Sequence, residues 1–208
     1  MKPAIFLDRD NTILATGEAT AGTSHEGDLT DPSQVRFVPG AIEACVLLAR
    51  TGLQLVVLSN QGVVARGLCT VREVERVNDR MRAVLLERGV RLAGVYSCPY
   101  HPTGTTPPFN VEHPWRKPDS GMYLAAAKDL AIDLSNSWAI GDSPRDVLSA
   151  VTAGIASARS VMIGKGPGLW YPDLFAAAKV IVAAMENHIE LLRGLSGAAS
   201  GGRAAQHG

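Results

Sequence analysis

"AIFLDRDNTIL" spans residues 4–14. Ala4-Ile5-Phe6-Leu7 is a short apolar run of the kind that makes a strand covered on both faces. It stops abruptly at Asp8-Arg9-Asp10, two carboxylates one residue apart. Charge at the end of a buried strand is expensive unless something uses it, so this strand tip is expected to be the floor of a site.

The rest of the chain repeats the pattern. "LQLVVLSN" (53–60), "LAGVYSC" (92–98), "SWAIGD" (137–142), a strand within "SARSVMIG" (157–164) and "AKVIVAAM" (178–185) read as five further strands. Helices are predicted over Ala41–Arg50, about Thr70–Arg88, about Gly121–Leu130 and 145–154, with a last one ending near Leu195. Thr70 with Glu73 three residues on forms a possible capping box. Nearly continuous apolar strands alternating with helices predict an α/β fold, a parallel sheet with helices on both faces. Ligands then bind off the carboxyl ends of the strands, where Asp8, Asp10, Ser59, Asn60 and Asp142 fall. Residues 15–36 and 99–120 are long loops suited to shaping a pocket. Residues 1–195 are expected to form one domain and 196–208, rich in Ser, Gly and Ala, a disordered tail.

The bulk numbers exclude several classes. A chain of 208 residues, 46% hydrophobic, suits one core. Formal net charge is zero, which argues against a nucleic-acid partner, since phosphate backbones are met by clustered Lys and Arg. Three widely spaced cysteines imply no disulfide framework. With no apolar leader and no run long enough to span a bilayer, a cytoplasmic protein without a membrane partner is expected. The oligomeric state is left open.

Four pieces converge: "DRDNT" (8–12), "SNQ" (59–61), "RKP" (116–118) and "GDSPRD" (141–146). Singly, each aspartate would be a turn residue or a helix cap. Together they make coherent chemistry. Asp8, Asp10 and Asp142 can place carboxylate oxygens around Mg²⁺. A carboxylate can also be the nucleophile in phosphoryl transfer. Ser59 can donate to a phosphoryl oxygen, and Lys117 can neutralise another.

As a set, these motifs resemble those of the haloacid dehalogenase (HAD) superfamily phosphatases. The resemblance implies a Rossmann-like fold, Mg²⁺ dependence, Asp8 as nucleophile and Asp10 as general acid/base. It further implies Ser59 and Lys117 as phosphoryl stabilisers, Asp8, Asp10 and Asp142 as metal ligands, and Asp146 behind them. "VVLSNQGVVARG", "SCPYHPTG" and "WRKPDSGM" are similar to the branch of D-glycero-D-manno-heptose 1,7-bisphosphate phosphatases and histidinol-phosphatases. That branch has no large cap domain. It implies a small phosphorylated metabolite as substrate, foremost the heptose bisphosphate, with Asn60, Gln61 and Arg116 against it. The alternatives are histidinol phosphate or another phosphosugar and, outside enzymes, a phosphoacceptor signalling module.

The chain departs from the branch in two places. Asn11 stands where Gly is usual, and Asn tolerates positive φ best among other residues. The branch's zinc loop, Cys-x-His then Cys-x-Cys, reads Cys98, Tyr100, His113 and Trp115 here, with His101 out of step. A zinc site wants four ligands, so no structural zinc is expected. A proline-braced loop packing Tyr100 and Trp115 is expected in its place.

Overall fold

The computed structural model describes residues 1–164 and 171–201. Five strands, β1 (Ala4–Asp8), β2 (Gln54–Asn60), β3 (Leu92–Cys98), β4 (Trp138–Gly141) and β5 (Ser160–Met162), form one parallel sheet in the order β3-β2-β1-β4-β5. The chain winds outward from β1 through β2 to β3, then returns to place β4 on β1's other edge. The carboxyl end of β1 therefore lies at the switch point, where such sheets open a crevice. Register puts Asp8 beside Leu58 and Leu7 beside Ile140.

Alternation along the strands supplies two cores. Ile5, Leu7, Leu55 and Val57 face α2 (Ala41–Ala49), α3 (Val71–Glu87) and α6 (Leu174–Gly201), meeting Leu48, Met81 and Ile181. Phe6, Val56 and Leu58 face the other way, onto α4 (Gly121–Asp129) and α5 (Pro144–Thr152), through Met122, Ala126 and Ala150. Helix α3 starts at the capping box seen in the sequence: Thr70 N donates to Glu73 Oε2 at 2.7 Å, and Glu73 N to Thr70 Oγ1 at 3.3 Å. Such a cap contributes about 1 kcal/mol. Its buried stripe is Val74, Val77, Met81 and Leu85, with one polar member, Asn78. Between Asp10 and Lys117 the chain adds only the short α1 (Thr16–Ala19), a 3-10 turn, α2, β2, α3 and β3. The described residues hold no separate cap domain.

One predicted strand is corrected. Residues 178–185 lie inside α6, which buries Leu174, Ala177, Ala178 and Ile181 on one side. A short run of Ala, Val and Ile carries no decisive period by itself; the length of the element and its neighbours at 174 and 177 make it a helix. The same helix covers 196–201, the start of the expected tail, and 202–208 lie outside the described residues.

The 99–120 loop is held by rings. Tyr100 and His113 stack at 3.9 Å and 8° between planes, Tyr100 meets Phe109 at 5.6 Å, and Trp115 packs edge-on to Tyr96 at 6.1 Å. Two of the residues at the branch's zinc positions thus stack on each other. Cys98 is buried, and its Sγ lies 3.9 Å from the Tyr100 carbonyl. Trp115→Ala is expected to cost about 2 kcal/mol in denaturant unfolding, below the full-core range because the ring is only partly buried. A zinc-selective chelator is expected to leave the unfolding midpoint unchanged, and elemental analysis to find well under one zinc per chain. One tightly held zinc, lost together with stability, would overturn this account of the loop.

Candidate active site

Three elements bring carboxylates to one point. Asp8 ends β1. Asp142 follows β4, and Asp146 sits in the first turn of α5, where its Oδ2 accepts from Ser143 N at 3.0 Å. Ligand oxygens of Asp8, Asp142 and Asp146 lie within 4.8 Å of one another. Gly141 makes this possible, since a Cβ there would stand 2.4 Å from the Asp146 side chain. Among the described residues, the buried Oδ1 of Asp146 has no partner but the Lys117 ammonium. Three hard oxygen donors, one with spare capacity, fit a divalent cation of the Mg²⁺ type.

Lys117 lies beneath them, buried, and its Nζ reaches Asp8 Oδ1 at 2.5 Å, Asp146 Oδ1 at 2.6 Å and the Leu58 carbonyl at 2.9 Å. The loop carrying it is tied to β2 by Asn60, whose Nδ2 donates to the Lys117 carbonyl at 2.9 Å while its Oδ1 accepts from Lys117 N at 3.0 Å. One ammonium thus faces two carboxylates, with Asp142 beside them. Burial pushes Asp8 up to about 7 despite Lys117, and the Asp146, Asp10 and Asp142 charges add to the rise. Burial and Asp146 also raise Asp142. Burial opposes the charge on Lys117, but Asp8 and Asp146 outweigh it and its pKa rises.

Asp10 stands apart from this cluster, a difference from the metal role expected of its side chain. Its Oδ1 accepts from Thr16 Oγ1 at 2.6 Å and from Arg9 Nε and a terminal Arg9 nitrogen at 3.2 and 3.0 Å. Its Oδ2 accepts from Ser59 Oγ at 2.8 Å and Gln61 Nε2 at 2.7 Å. Burial works to raise its pKa, but Arg9 and the hydrogen bonds from Thr16 and Ser59 win and hold it below the ordinary carboxylate value. Ser59 is fully buried, with its hydroxyl turned to Asp10. Asn11 takes φ 58° and caps the turn, its Oδ1 accepting from Gly17 N at 2.8 Å.

A cavity of about 240 Å³ opens above Asp8 and Asp10, lined further by Asn60, Arg66, Arg116 and Arg145. Asp28, from the 15–36 loop, pairs with Arg66 at its edge. Arg116, half-buried, donates to the Tyr100 carbonyl at 3.2 Å. Of the three residues expected against the substrate, Asn60 and Arg116 line this cavity, and Gln61 lines a neighbouring cleft. Sequence reasoning missed Arg9, Thr16 and Asn78. Arg9 is fully buried and donates to Asn78 Oδ1 at 2.9 Å. The signal was present: Asn78 is the lone polar residue in an otherwise apolar helix stripe.

The shifts carry a pH dependence. The folded pKa of Asp8 lies above its ordinary value, so ionising it disfavours the folded state, and the penalty grows as pH rises from about 4 to about 7. A bound cation offsets that penalty. The Mg²⁺-induced rise in melting temperature, measured against chelator, is expected to be larger at pH 7.5 than at pH 5. Equal increments would show that the cation does not meet these carboxylates.

Comparison with known proteins agrees with this geometry. A family model described as HAD-hydrolase-like matches residues 114–166, which carry Lys117, Asp142 and Asp146. The D-glycero-beta-D-manno-heptose-1,7-bisphosphate 7-phosphatase of Yersinia pestis is 38% identical over 163 residues, 78% of this chain and 82% of that one. Its counterpart in Escherichia coli K12 is 39% identical over 163 residues, covering 78% and 81%. The crystal structure of D,D-heptose 1,7-bisphosphate phosphatase from B. bronchiseptica, complexed with magnesium and phosphate, superposes with a TM-score of 0.70 at 26% identity, covering 88% of this chain and 99% of that one. With its strand-end carboxylates, its buried lysine and relatives matched over four fifths of their length, the chain belongs to the HAD-like phosphatases and is a phosphoric monoester hydrolase.

Proposed function

We propose that the protein removes the 7-phosphate of D-glycero-D-manno-heptose 1,7-bisphosphate in a Mg²⁺-dependent reaction through an aspartyl-phosphate on Asp8. The observation that carries the chemistry is Asp8 itself: a carboxylate at the switch point, facing the cavity, with one oxygen on Lys117. The substrate is supported by the names of relatives with 38–39% identity and by three arginines around one small cavity, which suit a substrate with two phosphates.

In the first half, the free oxygen of Asp8 attacks phosphorus and the bond to the sugar oxygen breaks. Asp10 gives that oxygen a proton; in the second half it takes a proton from the water that attacks the aspartyl-phosphate. Arg9, Thr16, Ser59 and Gln61 keep the Asp10 carboxylate oriented and ionised when the site is free. The proton for the first half is therefore acquired once phosphate charge is brought beside it. Lys117 holds Asp8 in place and carries positive charge beside the phosphoryl oxygens, while the Ser59 hydroxyl stays on Asp10. Asp8, Asp142 and Asp146 would hold Mg²⁺, which offsets repulsion between the anionic nucleophile and the anionic phosphate. Asn60 and Arg116 meet the substrate from the cavity wall.

No described helix is long and apolar enough to cross a membrane. Zero net charge and three unpaired cysteines support a cytoplasmic enzyme of small metabolites without a nucleic-acid partner.

A phosphate-release panel of sugar bisphosphates, sugar monophosphates, histidinol phosphate and nucleotides tests the substrate. The heptose 1,7-bisphosphate is expected to give the highest kcat/KM; equal rates across the panel would refute the assignment. Asp8→Asn keeps the shape and removes the attacking charge, so kcat is expected to fall by several orders of magnitude with the circular dichroism spectrum unchanged. Arg116→Ala is expected to lower kcat/KM for the bisphosphate by roughly tenfold or more, the worth of a charge-assisted hydrogen bond. The loss on 4-nitrophenyl phosphate should be much smaller, and equal losses would place Arg116 on the transferred phosphoryl group.

A further inference from the structure

Three arginines line the cavity above Asp8, and their surroundings differ. Arg66 already has its anion. It pairs with Asp28 from the 15–36 loop. That loop is folded back by bonds from Gly27 N to Thr20 Oγ1 at 2.8 Å and from Asp28 N to the His25 carbonyl at 2.9 Å. Arg66 therefore holds the loop at the cavity edge. Arg116 and Arg145 form no ion pair among the described residues. Arg116 is half-buried and gives one N–H to the Tyr100 carbonyl at 3.2 Å. Gly62 leaves room for it, since a Cβ there would stand 3.2 Å from Arg116 Nη1. The rest of its donor fork has no protein partner among the described residues.

Arg145 is the less expected of the two. It sits in the first turn of α5 and is exposed. A cation there opposes the helix dipole, and no carboxylate pairs with it to offset that cost. Burial holds the Arg116 pKa down, and the Arg145 charge adds to this more than that of Arg66 does. Two like charges facing one cavity repel until an anion comes between them. The cavity floor has the opposite balance, with Asp8, Asp142 and Asp146 in excess over Lys117. The transferred phosphoryl group belongs to that floor, beside Asp8 and Lys117. The anion that suits the two arginines is therefore a second one. Glu26, from the same loop as Asp28, also lines the cavity and is exposed. An ionised carboxylate only accepts, so Glu26 suits sugar hydroxyls and not a phosphate.

We propose that Arg145 is a specificity-determining residue, and that it clamps, together with Arg116, the phosphate that stays on the product. This rests on the heptose 1,7-bisphosphate reading above, and assigns its 1-phosphate to these two side chains. A phosphate monoester offers three terminal oxygens, and guanidinium forks meet such oxygens in pairs. The two forks come from different elements, the 99–120 loop and α5. Arg145 also lies three residues after Asp142 and next to Asp146. Recognition of the retained phosphate and the acidic cluster are thus built on one short segment, whose first turn is fixed by the bond from Ser143 N to Asp146 Oδ2. A rigid support of this kind keeps the distance between two recognised groups constant.

The test compares two substrates, the heptose 1,7-bisphosphate and the heptose 7-phosphate, which lacks only the retained group. The full chain with Mg²⁺ is expected to prefer the bisphosphate in kcat/KM. Arg145→Ala should lower that preference by roughly tenfold, the worth of a charge-assisted hydrogen bond. The change should fall mainly on KM, with a much smaller loss on the 7-phosphate. Arg145→Glu, which reverses the charge, should lower the preference further. Position 145 is exposed and Ala is a good helix former, so the unfolding midpoint of Arg145→Ala should be equal to wild type or higher. The double variant Arg116→Ala/Arg145→Ala should lose less than the product of the single losses, because both side chains meet one phosphate. A preference kept in Arg145→Ala, or an equal loss on both substrates, would overturn the role of Arg145 and leave the substrate standing. Fully multiplicative losses would overturn the shared clamp. A wild-type chain that does not distinguish the two sugars would overturn the proposed substrate, and the clamp with it.

Discussion

One buried ammonium organises the site. Lys117 joins the end of β1, the end of β2 and the first turn of α5 by touching Asp8, the Leu58 carbonyl and Asp146. Its charge is insufficient for its neighbours. Two carboxylates share it and Asp142 stands beside them, so the folded chain carries an excess of buried negative charge at one point. Such an arrangement is stable only if a proton or a cation makes up the difference. The rise in the Asp8 pKa is the proton's share of that compensation. A divalent cation held there would take the proton's place and keep Asp8 ionised, the state in which a carboxylate can attack phosphorus. The demand that makes the fold costly is thus also what would favour a bound cation.

The second carboxylate of the opening stretch has the opposite surroundings. Asp10 is partly buried where Asp8 is buried, and it is ringed by donors; its pKa falls where that of Asp8 rises. Two aspartates one residue apart are driven in opposite directions by what faces them, which is the pattern expected where two carboxyl groups take different parts in one reaction. The difference comes from elements distant in sequence. Ser59 arrives on β2 and Gln61 just after its end, and Arg9 is held in place by Asn78 from α3. The 99–120 loop, where Tyr100 and His113 stack, closes the far side of the cleft that Gln61 lines.

Much of this was legible in the chain. Apolar runs ending in Asp8, Asn60 and Asp142 declared a parallel sheet and the side on which its ligands bind, because a strand covered on both faces has no room for polar residues except at its ends. The capping box at Thr70 declared the start of α3, because its hydrogen bonds are local. The run at 178–185 was misread for the converse reason: its helical nature depends on which residues are buried against β1 and α2, and a short Ala/Val/Ile stretch carries no period of its own.

By itself, then, the sequence determined the alternation of strands and helices, the strand-end position of the carboxylates, and the type of chemistry those groups perform, since all of these follow from local pattern and residue type. The tertiary structure decided which oxygens meet. It grouped Asp146, not the Asp10 side chain, with Asp8 and Asp142, and turned Ser59 toward Asp10. It set Gln61 on Asp10, beside an aromatic cleft. Residue type states what a group can donate or accept. Only the packing of distant elements, through burial and the charges it brings within a few ångströms, sets which partner it finds and which protonation state it keeps.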